Sequence, residues 1–249
     1  MDREKKPNIS PLPAILFWGL VWQAAALLMG NPLLLPGPVQ VLRRMGQLML
    51  TGDFWQITAV SIGRILLGVT VAAVLAVLLA VLTTRSALAD TLIAPVMTAM
   101  QATPVASFAI LVLIWVERDW VSVLICGMMV LPVVWNSVST GIRVTDRDLL
   151  EMGKLFRLPP ATRLRRIWVP SVMPFFRASC SSALGLGWKA GIAAEVLTVP
   201  ARSIGRQISE SKLYLLTEDL FAWTLTVVVL SLLLQKLMLK ILEGRNSRA

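Results

Sequence analysis

Six long stretches of this sequence carry few or no charges, and they constrain the fold more than any motif does. A bilayer core about 30 Å thick takes about 20 apolar residues of helix. Residues 7–42 contain no charge, with their most helix-like part at 14–29, and residues 65–82 run unbroken in Val, Leu and Ala. A third stretch, 91–116, is followed across Glu117, Arg118 and Asp119 by a fourth, 120–142. The fifth, 172–199, is interrupted by Arg177, Lys189 and Glu195, and the sixth, 220–239, carries Lys236. The expected spans are 13–30, 62–83, 91–116, 120–142, 172–199 and 218–240.

These runs are too long for barrel strands, and no alternation at ten-residue spacing is present, so an all-α integral membrane fold is expected. Only 15% of residues are charged, where a soluble domain carries about 25%. The expected organisation is an N-terminal segment at 1–12, a transmembrane domain at 13–242 and a tail at 243–249. Arg3, Lys5 and Lys6 before an apolar run could mark a secretory signal, but five further spans favour an uncleaved first helix. Cys126 and Cys180 fall inside spans and read as small apolar fillers.

An N-terminus in the cytoplasm gathers fourteen Lys and Arg on that side, among them Arg85 and seven in 143–166. Six remain opposite: Arg43, Arg44, Arg118, Arg202, Arg206 and Lys212. The positive-inside rule selects this orientation, with both termini cytoplasmic. The net charge of +10 is thereby accounted for by topology, and no nucleic-acid partner is expected. Trp55, Trp115 and Trp120 would lie near the outer boundary and Trp168 near the inner one.

The connection at 143–171 is too polar to span. Leu149, Met152 and Phe156 recur at helical spacing, with Glu151 and Lys154 available as an i,i+3 pair. Pro159 and Pro160 would stop this helix, and residues 162–167 can form a second short turn. Such an apolar-striped knob can lie on a membrane surface or enter a groove on a soluble partner, and physical chemistry alone leaves both open.

The loop resembles the "EAA" loop of bacterial ABC importer permeases, which reads Glu-Ala-Ala, three residues, Gly, nine residues, Ile, any residue, Leu, Pro. Glu151, Ile167 and Pro170 match; Met152 and Gly153 replace the alanines, Val169 the leucine and Arg157 the glycine. A glycine there permits a sharp turn, so Arg157 predicts a different helix ending, with the Pro159-Pro160 pair supplying the break. Residues 188–197 and Leu35-Pro36-Gly37-Pro38 are similar to segments of the nitrate, sulfonate and taurine branch.

That resemblance implies a type I, MetI-like core in the bacterial inner membrane. It implies a second permease copy, two ATP-binding cassette ATPase subunits gripped by the loops, and an extracytoplasmic solute-binding protein. ATP and Mg would belong to the ATPase, with no cofactor on this chain. The cargo class is a small anionic or heterocyclic solute: sulfonates, taurine, nitrate and vitamin precursors stay open.

The residues agree that chemistry is borrowed. The nearest approach to a phosphate loop, 63–70, has Val69 where the lysine belongs, and the chain has no histidine. Lys189 and Glu195 are intramembrane charges, and a lysine at a helix centre costs about 2.5 to 3.5 kcal/mol on insertion scales. Lys189 either faces the pathway and attracts an anionic cargo or pairs and snorkels; Glu195 either helps form an outer gate or is structural. Trp188 and Gln101 complete the candidate pathway set. Gly187 and Gly191 allow close helix approach, as do Ser181 and Gly185, within the chain or across a dimer seam. Pro95 and Pro104 could kink the third span beside Gln101. A secondary transporter would need several buried acids, yet Glu195 is the sole acid within the six charge-poor stretches. An intramembrane enzyme or a purely structural membrane protein is disfavoured by the missing histidine and the permease-like loop.

Overall fold

The computed structural model describes residues 12–243; the N-terminal cations Arg3, Lys5 and Lys6 and the tail cations Arg245 and Arg248 lie outside them. The described residues form eleven α-helices and one π turn with their connecting turns, and contain no strand. They are α1 (Leu12–Met29), α2 (Pro38–Met49), α3 (Gly52–Arg85), α4 (Ala87–Ala102), α5 (Val105–Val112) and α6 (Arg118–Arg143). After these come α7 (Arg147–Leu155), α8 (Pro160–Arg163), the π turn (Leu164–Trp168), α9 (Val169–Thr198), α10 (Ile204–Leu213) and α11 (Thr217–Glu243).

Three helices are long and apolar enough to cross a membrane by themselves: α3, α6 and α11. The expected third span is not one helix: α4 and α5 meet at 104°, a broken or re-entrant crossing. Pro104 explains the break, because it lacks an N–H and forces Thr103 into an extended conformation at φ −74° and ψ 126°. Pro95 remains inside α4. α1 is apolar but short, and α9 rises about 45 Å over its thirty residues while carrying Arg177, Lys189 and Glu195. Counting α1 and α9 with the bent pair gives the six crossings, as an approximate number.

The centre of the bundle is α6, which packs along both α3 and α9. Ile65, Val69, Ala72, Ala76 and Ala80 make one stripe of α3, and Cys126, Val130, Val134 and Val138 one of α6. Against both lie Leu184, Trp188 and Ile192 of α9. Lipid tails are as apolar as these side chains, so close approach of helices has to supply the association. Small residues provide it: a Cβ on Gly68 would meet Val123 O at 2.5 Å, one on Gly187 Cys126 Sγ at 2.8 Å, and one on Gly191 Ile65 Cγ1 at 2.7 Å. The Gly187/Gly191 pair is thus spent on packing within the chain.

α2 and α10 lie in connections read from sequence as loops. Pro38 opens α2, and the Gly37 N–H donates to Gln40 Oε1 at 2.9 Å, which gives Leu35-Pro36-Gly37-Pro38 its local role. Arg44 of α2 makes a two-pronged ion pair with Asp219 of α11, and that hydrogen bond pushes the guanidinium further above its ordinary value.

Candidate functional site

At one end of the bundle, α7, α8 and the π turn form a compact knob. The Asp146 side chain caps α7 by accepting from the Asp148 N–H at 2.9 Å. The helix ends by the Schellman pattern: Leu158 N–H donates to Gly153 O and Arg157 N–H to Lys154 O, both at 3.0 Å. Arg157 sits at the left-handed position with φ 49°. The expectation that Arg157 changes this ending is therefore corrected, since the arginine adopts the glycine-type conformation itself. Pro159 and Pro160 do not stop α7; they cap and open α8.

A non-glycine residue in this region costs about 1 kcal/mol. Arg157→Gly is accordingly expected to slow hydrogen exchange across 147–156 about fivefold, whereas faster exchange would show that no strain is held there.

Gly153 is buried beneath the π turn, where an added Cβ would meet Ile167 Cδ1 at 3.0 Å and Arg163 Cδ at 3.4 Å. Ile167 is buried, and Pro170 lies in the first turn of α9. Gly153, which replaces a motif alanine, and the matched Ile167 thus form the mount of the knob, just before the matched Pro170 at the start of α9. Glu151 and Met152 face outward, and the anticipated Glu151–Lys154 pair does not form among the described residues. Leu149, Met152, Leu155 and Phe156 are exposed, the last two at 80% and 68%.

The opposite end is held by a different cluster. Glu195 is fully buried; its Oε2 accepts from Ser61 Oγ at 2.8 Å and from the Gly205 N–H at 3.2 Å. Ser61 Oγ in turn accepts from the Ile204 N–H at 2.9 Å. One carboxyl and one hydroxyl therefore cover the first N–H groups of α10 and tie it to α3 and α9. Beside them Arg64 bridges Asp119 at 2.5 Å and the Ala201 carbonyl at 3.2 Å, joining α3, α6 and the α9–α10 turn.

The candidate pathway residues separate. Trp188, 1% exposed, donates its indole N–H to Val227 O of α11 at 3.2 Å, so it lies in the core of the protomer rather than on an open face. Lys189 is exposed, on a stripe of α9 with Ser182, Leu186, Ala193 and Leu197. Gln101 is exposed just before the α4–α5 break. Sequence reasoning missed Ser61 and α10; the usable signals were Ser203 as an N-cap, accepting from the Arg206 N–H at 3.0 Å, and Ile204 and Ile208 one turn apart.

Residues 68–247 match the family described as binding-protein-dependent transport system inner membrane component. The chain belongs to that family. The riboflavin transport system permease protein RibX of Chloroflexus aurantiacus is 28% identical over 239 residues, covering 92% of this chain and 89% of the relative. The taurine transport system permease protein TauC of Escherichia coli is 23% identical over 242 residues, with 94% and 86% covered. The bicarbonate transport system permease protein CmpB of a Synechocystis strain is 26% identical over 156 residues, with 62% and 55% covered. The match includes the knob, α9 and α10. This chain is an ABC importer permease subunit of the inner membrane, and the gradient-driven alternative gives way.

Proposed function

We propose that two copies of this permease form the translocation pathway and that α7 docks in a cleft of a separate ATPase subunit, which holds the ATP and Mg and performs the hydrolysis. The supporting observation is the outward apolar stripe of a knob whose base, Gly153 on Ile167, is rigidly joined to a membrane-crossing helix. Force on α7 would pass through the π turn into α9. The knob end faces the cytoplasm with both termini, and the α10 end receives a solute-binding protein. Cross-linking a Met152→Cys variant to an ATPase subunit in sealed inside-out vesicles tests the docking and the cytoplasmic placement of the knob, and labelling of that cysteine only from the vesicle lumen, the extracytoplasmic face, would refute them.

The cargo is a small anionic or heterocyclic solute, in keeping with relatives named for taurine, bicarbonate and riboflavin transport. Lys189, exposed on α9, supplies the positive charge of the pathway, with Gln101 as a second polar contact, while Glu195 and Trp188 keep the helices around it in place. For Lys189→Met, the KM for an anionic cargo is expected to rise at least tenfold. The assay uses whichever of taurine, bicarbonate or riboflavin stimulates ATP hydrolysis by the reconstituted complex. Unchanged affinity and rate for taurine or bicarbonate would remove Lys189 from the pathway.

A further inference from the structure

Beside the knob, α3, α6 and α9 leave a groove of about 420 Å³ between them. Val77 and Val81 of α3, Val138 and Ile142 of α6, and Met173 and Phe176 of α9 line its length, and Arg85 and Trp168 stand at its mouth. No acidic residue lines it. The acids at that end lie off the groove: Asp90 is paired with Arg143 at 2.9 Å, and Asp146, Asp148 and Glu151 belong to α7 and its cap. Arg85 is exposed and has no ion-pair or hydrogen-bond partner among the described residues. Arg165 and Arg166 are also exposed, in the same π turn as the lining residues Leu164 and Trp168.

Depth decides what such a groove suits. Eight residues separate Arg85 from Val77 on α3, and Trp168 from Phe176 on α9, which is a rise of about 12 Å. Half of a bilayer core is about 15 Å. The groove therefore opens at the level of charges and an amphipathic indole, then runs apolar through most of one leaflet. Inward of Arg85 the one polar lining residue is Thr84, whose hydroxyl already donates to the Ala80 carbonyl at 2.7 Å, so the groove suits an acyl chain better than a polar cargo.

We propose that this groove binds one acyl chain of an anionic phospholipid, with the phosphate at Arg85 and within the field of Arg165 and Arg166. Basic pockets between membrane helices recognise such headgroups, and each arginine engaged raises affinity about fivefold. A lipid seated there touches α3, α6 and the π turn together, and so braces the knob against the bundle. The inference does not rest on the proposed cargo or on ATPase docking.

The test uses the purified permease in phosphatidylcholine vesicles, with the difference in fluorescence between wild type and Trp168→Phe isolating that indole. Brominated phosphatidylglycerol is expected to quench it at several-fold lower mole fraction than brominated phosphatidylcholine. Arg85→Gln, at an exposed position, should weaken the preference about fivefold, and Val81→Phe, which fills the groove, should reduce quenching by either lipid. Equal quenching by the two lipids in the wild type would overturn the proposal. So would protection from both, which would mean that protein, such as a second copy, covers the groove.

Discussion

Gly205→Ala is expected to lower the thermal midpoint of the detergent-purified permease by about 10 °C, the largest loss expected for alanine at any of the described glycines. A Cβ at position 205 would lie 2.3 Å from Glu195 Cβ, 2.4 Å from Glu195 C and 2.4 Å from Val196 N. Two of those atoms are α9 backbone, so no rotamer change relieves the overlap and α10 has to retreat. Retreat breaks the Gly205 N–H contact with Glu195 and the Ile204 N–H contact with Ser61. Overpacking costs about 1–3 kcal/mol and each buried polar group left unpaired about 1–3 kcal/mol more. The lower end of that sum, about 3–4 kcal/mol, at about 2–4 °C per kcal/mol gives the stated shift. Gly46→Ala is the control, because a Cβ there meets nothing within 4 Å and alanine favours the helix. An unchanged midpoint for Gly205→Ala would show that α10 is not anchored on α9.

Glu195 also marks the limit of what was legible. An acid inside an apolar span announces that it must be satisfied, and that much follows from composition. Its partner Ser61 is 134 residues away, and nothing local to either residue signals the other. α10 escaped notice for a related reason: its sequence is polar, and what commits it to helix is the tertiary capping of Ile204 and Gly205. By contrast α6, expected at 120–142, spans Arg118–Arg143, because a long uncharged run bounded by charges fixes its own ends. The third span shows the intermediate case. Pro95 and Pro104 look alike in sequence, yet only Pro104 breaks the helix, and a 104° bend is not encoded by the proline alone.

The amphipathic spacing predicts the first helix of the knob, α7, but the expected second short turn at 162–167 is no separate element, since residues 160–198 run from α8 through the π turn into α9, and the hinge differs too. Composition rules assign the stop to Pro159-Pro160, whereas the backbone closes the Schellman pattern two residues earlier with Arg157 at φ 49°. An arginine is a poor sequence signal for that conformation, since the cost of about 1 kcal/mol is met by the two hydrogen bonds and by Gly153 seating on Ile167.

The same knob carries the prediction with the largest functional effect. In the double variant Leu155→Asp/Phe156→Asp, ATPase subunits should no longer co-purify with the permease, and ATP-driven uptake should fall to background. Both side chains are exposed, at 80% and 68%, so their loss leaves the permease itself within about 0.5 kcal/mol of wild type. Anchors of this kind contribute about 2 kcal/mol each at a protein interface, and together about a thousandfold in affinity. Leu50→Asp, at an 89% exposed position beyond α2, introduces one such negative charge at the other end and should leave ATPase binding intact. The result also separates the two uses open to an apolar-striped knob. If α7 lies on lipid instead of in a protein cleft, the double variant keeps its ATPase subunits and loses only the burial of residues 149–156 against the bilayer. Retained co-purification with uptake still coupled to hydrolysis would exclude α7 as the element that receives force.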